Sequence, residues 1–157
     1  MRATVLRHGA YALLRAAPAL VPTLGLIGFF CLHADTHDDV IDLFASMAAA
    51  LSELNVPQFM DAFDKDMPNY DKVKAGVTAL VSQAEVSSSV EPLSDEGDDA
   101  KRTVDFDWYL EIRSLLPDGP LVRRREVVRC ELRKEKKHWK IVALKPIDFF
   151  GPAKLDR

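Results

Sequence analysis

The chain is 157 residues long, 48% hydrophobic and 29% charged, with a formal net charge of −3. That length points to one domain, and the composition excludes a disordered or collagen-like polymer. Two cysteines, Cys31 and Cys130, exclude a disulfide-stapled miniprotein and most structural zinc sites, and the mild acidity gives no general argument for nucleic acid.

Residues 1–34 carry Arg2, Arg7 and Arg15 and no acid. From Ala16 to Leu32 no side chain is charged, and the run ends in Leu24, Leu26, Ile27, Phe29 and Phe30. A basic start, an apolar run and the small Ala34 before an acidic stretch describe a secretory signal. The run is short for a spanning helix and is interrupted by Pro18 and Pro22, yet Leu32 is bulky where a cleavage site prefers a small residue. An uncleaved N-terminal anchor is therefore the rival to a cleaved signal. The expected division is 1–34 as signal or anchor and 35–157 as the folded domain, exported to a periplasmic or extracellular space or held at the membrane by residues 16–32. Removal of the first 34 residues leaves Cys130 without a disulfide partner. Its place on an apolar-alternating strand reads as a buried packing thiol.

Thr36 with Asp39 three residues on resembles a capping box. Val40, Phe44, Met47, Leu51 and Leu54 follow at spacings of 4, 3, 4 and 3, which predicts a core helix ending near Asn55. Val56-Pro57 restarts the chain, with Val56 extended and Pro57 in a first helical turn. Phe59, Phe63 and Met67 stay with this second helix until Pro68 stops it. Asn69 is placed to cap a third, in which Val73, Val77, Leu80 and Ala84 repeat at 4, 3 and 4.

Beyond Ala84 the period drops to two. Val86, Ser88 and Val90 alternate with Ser87, Ser89 and Glu91, and Asp95 to Asp99 turn the chain around Gly97. Val104, Phe106, Trp108, Leu110 and Ile112 then share one face, with Asp105, Asp107, Tyr109, Glu111 and Arg113 on the other. After the Pro117–Pro120 turn a third strand sets Val128, Cys130 and Leu132 against Arg123, Arg125, Arg129, Glu131 and Arg133. Lys134 to His138 turn into a fourth strand with Trp139, Ile141 and Ala143 inward. Three helices followed by an antiparallel sheet define an α+β class.

This order, LSELNVPQFMDAFDKDMPNYDKVKAGVTALV, then two-faced strands and a closing HWKIVALKPIDFF, resembles the nuclear transport factor 2-like superfamily over about residues 38–150. The resemblance implies a cone-like α+β barrel in which three helices pack on a strongly curved antiparallel sheet of four or more strands. It also implies pairing through the outer sheet face and a pocket between sheet and helix. Such domains include ketosteroid isomerases, polyketide cyclases, dehydratases and non-catalytic members, so the fold does not select an activity.

An isomerase-type site on such a scaffold resembles a carboxylate base facing a Tyr or protonated Asp. The predicted inner face offers no acid and no histidine, because Asp105, Asp107 and Glu111 alternate outward. The weak catalytic candidates are Asp71, Tyr70 and an Asp107 turned inward by a bulge. Phe59, Phe63, Met67, Tyr70, Phe106, Trp108, Cys130 and Trp139 either line a pocket for a small apolar ligand or fill the core. His8, His33, His37 and His138 match no metal-ligand spacing, and His37 with Asp38 and Asp39 reads as helix-start chemistry. No cofactor and no metal are expected.

Charge is distributed unevenly. Residues 35–100 hold fifteen acids against three bases, and residues 123–145 hold ten bases against three acids. The arginine row invites a nucleic-acid reading, but an export signal and the lack of interleaved aromatics oppose it. Cross-strand pairing of Asp105, Asp107 and Glu111 with that row is the simpler account. Asp105, Asp107, Tyr109, Arg125 and Arg129 are the residues expected at a homodimer interface. The expected role is a non-catalytic binding or self-association module, and the alternative is an isomerase-, dehydratase- or cyclase-like enzyme acting on an apolar ligand.

Overall fold

The computed structural model describes residues 31–155. The expected signal or anchor falls outside them up to position 30, and the expected boundary after residue 34 lies within the first helix. The elements are α1 (Cys31–Ser52), α2 (Val56–Met60) and α3 (Tyr70–Gln83), then β1 (Ala84–Gly97), β2 (Lys101–Ser114), β3 (Leu121–Glu135) and β4 (His138–Lys145). The strands form one antiparallel sheet in the order β1-β2-β3-β4.

The apolar stripe of α1 is buried as the spacing predicts, with Val40, Phe44, Met47 and Leu51 all inside. The helix begins earlier than the capping signal implies. Thr36 lies inside it and is buried, and its hydroxyl donates to Asp99 Oδ1 at 3.2 Å. A preceding helical turn supplies carbonyls to the local N–H groups, so Thr36 has no end to cap.

The second helix is shorter than predicted. Asn55 caps it, accepting from Gln58 N at 3.1 Å, and Val56 is its first residue rather than an extended one. It stops at Met60 because the following backbone is taken by the edge of the sheet. Ile141 N donates to Ala62 O and Asp64 N to Ile141 O, each at 2.9 Å, and Phe63 bridges Ile141 in parallel. Phe63 thus enters the core from a strand-like segment, which also covers the exposed edge of β4. Asn69 starts α3 through its backbone carbonyl, which accepts from Val73 N at 3.0 Å, in a left-handed conformation that Asn tolerates; its side chain makes no cap.

On β2 and β3 the period-two reading holds, whereas on β4 the irregularity at Glu131/Leu132 changes the phase after Ile141, so that Leu144 and not the expected Ala143 enters the core. Val104, Phe106, Trp108, Leu110 and Ile112 are all buried, as are Val128, Cys130 and Leu132 opposite them. Gly97 has φ +139°, and a Cβ there would stand 2.2 Å from Lys101 O, so only glycine closes the β1–β2 hairpin. Asp98 Oδ1 accepts from Ala100 N and Lys101 N, both at 2.8 Å, and these bonds hold its carboxyl below the usual range. A bulge between Pro92 and Ser94 leaves Leu93 unpaired and exposed, and a second irregularity falls at Glu131/Leu132. Bulges bend and coil the sheet, which wraps around α1.

Candidate functional site

The centre of the cone is built from α1, the inner face of β2 and the segment after β4. Phe44 stacks on Phe106 at 4.1 Å between ring centroids and meets Trp108 edge-on at 6.1 Å. From the other side Phe150 meets Trp108 at 4.8 Å and Phe59 at 5.0 Å, while Phe149 packs on Phe150 at 4.9 Å. Phe59 also contacts Phe63 at 5.5 Å. The structure therefore links the apolar candidates Phe59, Phe63, Phe106 and Trp108 in one chain of rings, Phe150 standing between Phe59 and Trp108 and Phe44 between Trp108 and Phe106. Met67, Cys130 and Trp139 are buried in the same core, and Tyr70 is half-buried at its margin. Burial pushes the Cys130 thiol well above its ordinary value.

The polar inventory of this interior is small. Trp108 Nε1 donates to Ser88 Oγ at 2.8 Å. Among the described residues Thr36 and Ser114 are the buried polar residues, and no carboxylate or imidazole joins the aromatic core, although the Asp95 side chain is only 9% exposed. Asp71 is exposed in the first turn of α3, next to Tyr70. Asp107 keeps the outward face of β2, with the sheet between it and the α3 pair. The three weak catalytic candidates therefore do not converge.

The outer face of the sheet is a ladder of ion pairs. Asp105 stands directly across from Arg129, which reaches it through Nε and Nη2, both at 2.7 Å. Ser94 Oγ adds a bond to Asp105 at 3.1 Å. Arg125, opposite Tyr109, slants to Asp107 at 2.6 Å, and Arg123 reaches Glu111 at 3.3 Å. The Arg129 guanidinium holds the Asp105 carboxyl below the usual carboxylate range, and Arg125 does the same for Asp107. The arginines move up correspondingly. Tyr109 Oη donates to Glu111 at 3.2 Å, and Val127, facing out across from Asp107, is 52% exposed. Asp105, Asp107, Tyr109, Arg125 and Arg129 thus share one continuous surface whose charges are neutralised within it.

Two constellations are absent from the sequence reading. At the rim of the cone His37 Nδ1 lies 2.6 Å from Asp95 Oδ2, and Arg102 Nε donates to Asp95 Oδ1 at 2.5 Å. The sequence separation of 58 residues between His37 and Asp95 leaves no local signal for it. The second is Arg124. Its guanidinium donates to the carbonyls of Phe149, Gly151 and Pro152 and lies 6.0 Å from the Phe149 ring. Burial lowers its pKa from the ordinary arginine value. Here a signal existed: parity counted back from Val128 puts Arg124 on the inner face.

No family model and no curated protein matches this sequence. Solved structures do match in shape. A candidate scytalone dehydratase from Novosphingobium aromaticivorans is 12% identical with a TM-score of 0.62, covering 71% of this chain and 85% of its own. A type 2 hexachlorocyclohexane dehydrochlorinase is 11% identical, with a TM-score of 0.58 and coverage of 71% and 84%. An NTF-2 like protein of unknown function from Shewanella oneidensis is 11% identical, with a TM-score of 0.51 and coverage of 69% and 95%. The chain has the nuclear transport factor 2-like fold: three helices against a curved four-stranded antiparallel sheet. At these identities the likeness defines the fold and no activity. Among the described residues no helix is long and apolar enough to cross a membrane.

Proposed function

We propose that this protein is a non-catalytic nuclear transport factor 2-like module of the cell envelope, exported by its N-terminal segment or anchored by it, which works by pairing through the outer face of its sheet. The observation that supports this reading is the aromatic packing at the centre of the cone. Phe149 and Phe150 stand against Phe59 and Trp108 in the space a reacting ligand needs, with no buried carboxylate or imidazole beside them among the described residues. The outer face offers what a self-complementary interface uses: exposed Val127, the aromatic Tyr109, and arginines already ordered by their acids.

Light scattering of the full chain, with detergent if the N-terminal segment requires it, tests the pairing. A dimer that becomes a monomer in the Val127→Glu, Tyr109→Arg double variant supports it. A wild-type monomer, or a dimer indifferent to both changes, refutes it.

A second reading, a dehydratase- or isomerase-like enzyme, draws on one observation. His37 and Asp95 have the base-and-orienter geometry of general-base catalysis at the mouth of the cone. Turnover of an apolar hydroxylated or halogenated substrate that disappears in His37→Gln would favour it over the first.

A further inference from the structure

Six large hydrophobic side chains stand exposed among the described residues, and three of them share the tip of the β2–β3 hairpin. Leu115 is 55% exposed, Leu116 62% and Leu121 36%, with Pro117 and Pro120 in the same turn. The other three, Leu54, Leu93 and Val127, lie apart from one another, which is ordinary for a protein surface. Two adjacent leucines at a projecting end are not.

The tip has a fixed backbone. Ser114 N donates to Pro120 O at 3.1 Å, Leu115 N to Gln83 O at 3.2 Å, Leu116 N to Ser114 Oγ at 3.2 Å and Gly119 N to Leu116 O at 2.9 Å. Pro117 and Pro120 have no N–H to satisfy. A Cβ on Gly119 would stand 2.4 Å from Ser114 Oγ, so the turn closes tightly on that buried hydroxyl. From 114 to 120 the backbone donors are thus almost all bonded within the protein, the condition for a segment to enter a medium short of water. The same bonds hold the leucines outward before any partner arrives, which lowers the ordering cost of binding. Charge at the base of the tip is balanced: exposed Arg113 stands across from Glu85, Arg123 is bonded to Glu111, and exposed Asp118 and Lys154 offset one another.

We propose that this tip dips into the boundary between headgroups and acyl chains of a lipid bilayer, with Leu115 and Leu116 as the inserted pair. Size argues against a protein partner: a stable protein pair buries about 800 Å² on each side, far more than one hairpin tip exposes, whereas a bilayer needs no matching surface. The balanced base assigns the attraction to apolar burial, so a neutral lipid suffices. Asp118 keeps the entry shallow, because its carboxylate stays with water and headgroups. The contact is distinct from the one proposed for the N-terminal segment. Thr36 and His37 at the start of α1 bond to Asp99 and Asp95 beside the β1–β2 hairpin, and the 14 residues of β2 separate that end from the tip.

The test puts a fluorophore at the tip of the full 157-residue chain. Leu116→Trp is mixed with vesicles of phosphatidylcholine whose acyl chains carry bromine, which quenches an indole that it touches. The chain's own Trp108 and Trp139 are both buried, so the parent protein sets the baseline. Leu116→Trp should be quenched several-fold more than the parent, with its emission shifted to the blue. Adding Leu115→Asp to that variant changes an exposed side chain and leaves the Leu115 N–H in place. It should return the quenching to the parent level while dichroism and the melting temperature stay as they were. Quenching no greater than the parent's would overturn the proposal, whether the chain stays in solution or rides on the vesicle by its N-terminal segment. So would quenching that survives Leu115→Asp. A blue shift that grows with protein concentration in the absence of lipid would assign the tip to a second copy instead.

Discussion

The indole N–H of Trp108 on β2 donates to the hydroxyl of Ser88 on β1 at 2.8 Å, a polar bond set inside an otherwise apolar cone. It fixes the ring between Phe44 on one side and Phe150 on the other. Trp108→Ala should cost about 3–5 kcal/mol, the range for emptying a buried aromatic site. Ser88→Ala should cost about 1–3 kcal/mol, because it strands a buried donor. Urea unfolding followed by far-ultraviolet dichroism measures both. A near-neutral Trp108→Ala would mean that the ring is not the hub of the core.

The inner face of β2 was readable from the sequence because strict alternation of five apolar with five polar residues has one solution, and Trp108 followed from it. The second helix was misread for an equally definite reason. Phe59 and Phe63 stand four apart as on a helix, but the peptide groups around Phe63 bond to Ile141, nearly eighty residues later, and a local pattern carries no trace of that competitor. The same holds for Asp95, whose partners His37 and Arg102 assemble only when the hairpin folds over α1. What the sequence conveyed well was the sign of each surface. The acids of β2 and the arginines of β3 were expected to meet, and Asp105, Asp107 and Glu111 do face that row.

That pairing, together with the turn N–H groups that hold Asp98, sets an acid dependence. The carboxyls of Asp98, Asp105 and Asp107 are held below their ordinary value, so between about pH 4 and lower values the unfolded chain binds protons that the folded one does not. Stability from these groups is complete above the unfolded value near pH 4 and is lost as pH falls through the lower folded values. Asp105→Asn should therefore be less stable than the parent at neutral pH and converge with it in strong acid, as read by guanidinium midpoints across that range. A gap that does not change with pH would show that the Arg129 contact contributes shape rather than charge.

Cys130 should be silent in the folded state. Its side chain is fully buried and burial pushes the thiol up, so little reactive thiolate forms near neutral pH. In a Cys31→Ser background an aromatic disulfide reagent should label nothing in native protein and one thiol per chain after denaturation. Fast labelling of the native form would mean that β3 opens far more often than a central strand should.

Arg124 is the main polar tie on the segment after β4, beside the packing of Phe149 and Phe150 against Trp108 and Phe59. It gathers the carbonyls of Phe149, Gly151 and Pro152. The other polar ties are lesser: Gln83 Nε2 donates to Ala153 O at 3.2 Å, and the Lys72–Asp148 pair at 2.9 Å is largely exposed. Arg124→Met keeps an apolar stem of similar length but leaves three carbonyls without their donor, and it should cost about 1.5–3 kcal/mol. Asp148→Ala, which removes an exposed pair, should cost under about 1 kcal/mol. The distinguishing readout is amide exchange. Arg124→Met should quicken exchange in residues 147–153 more than in the middle of β2, because the tail can leave while Trp108 still packs on Phe44 and Phe44 on Phe106. Uniform acceleration across both regions would instead mean that Phe149 and Phe150 are inseparable from the core, and that the cone cannot open without unfolding.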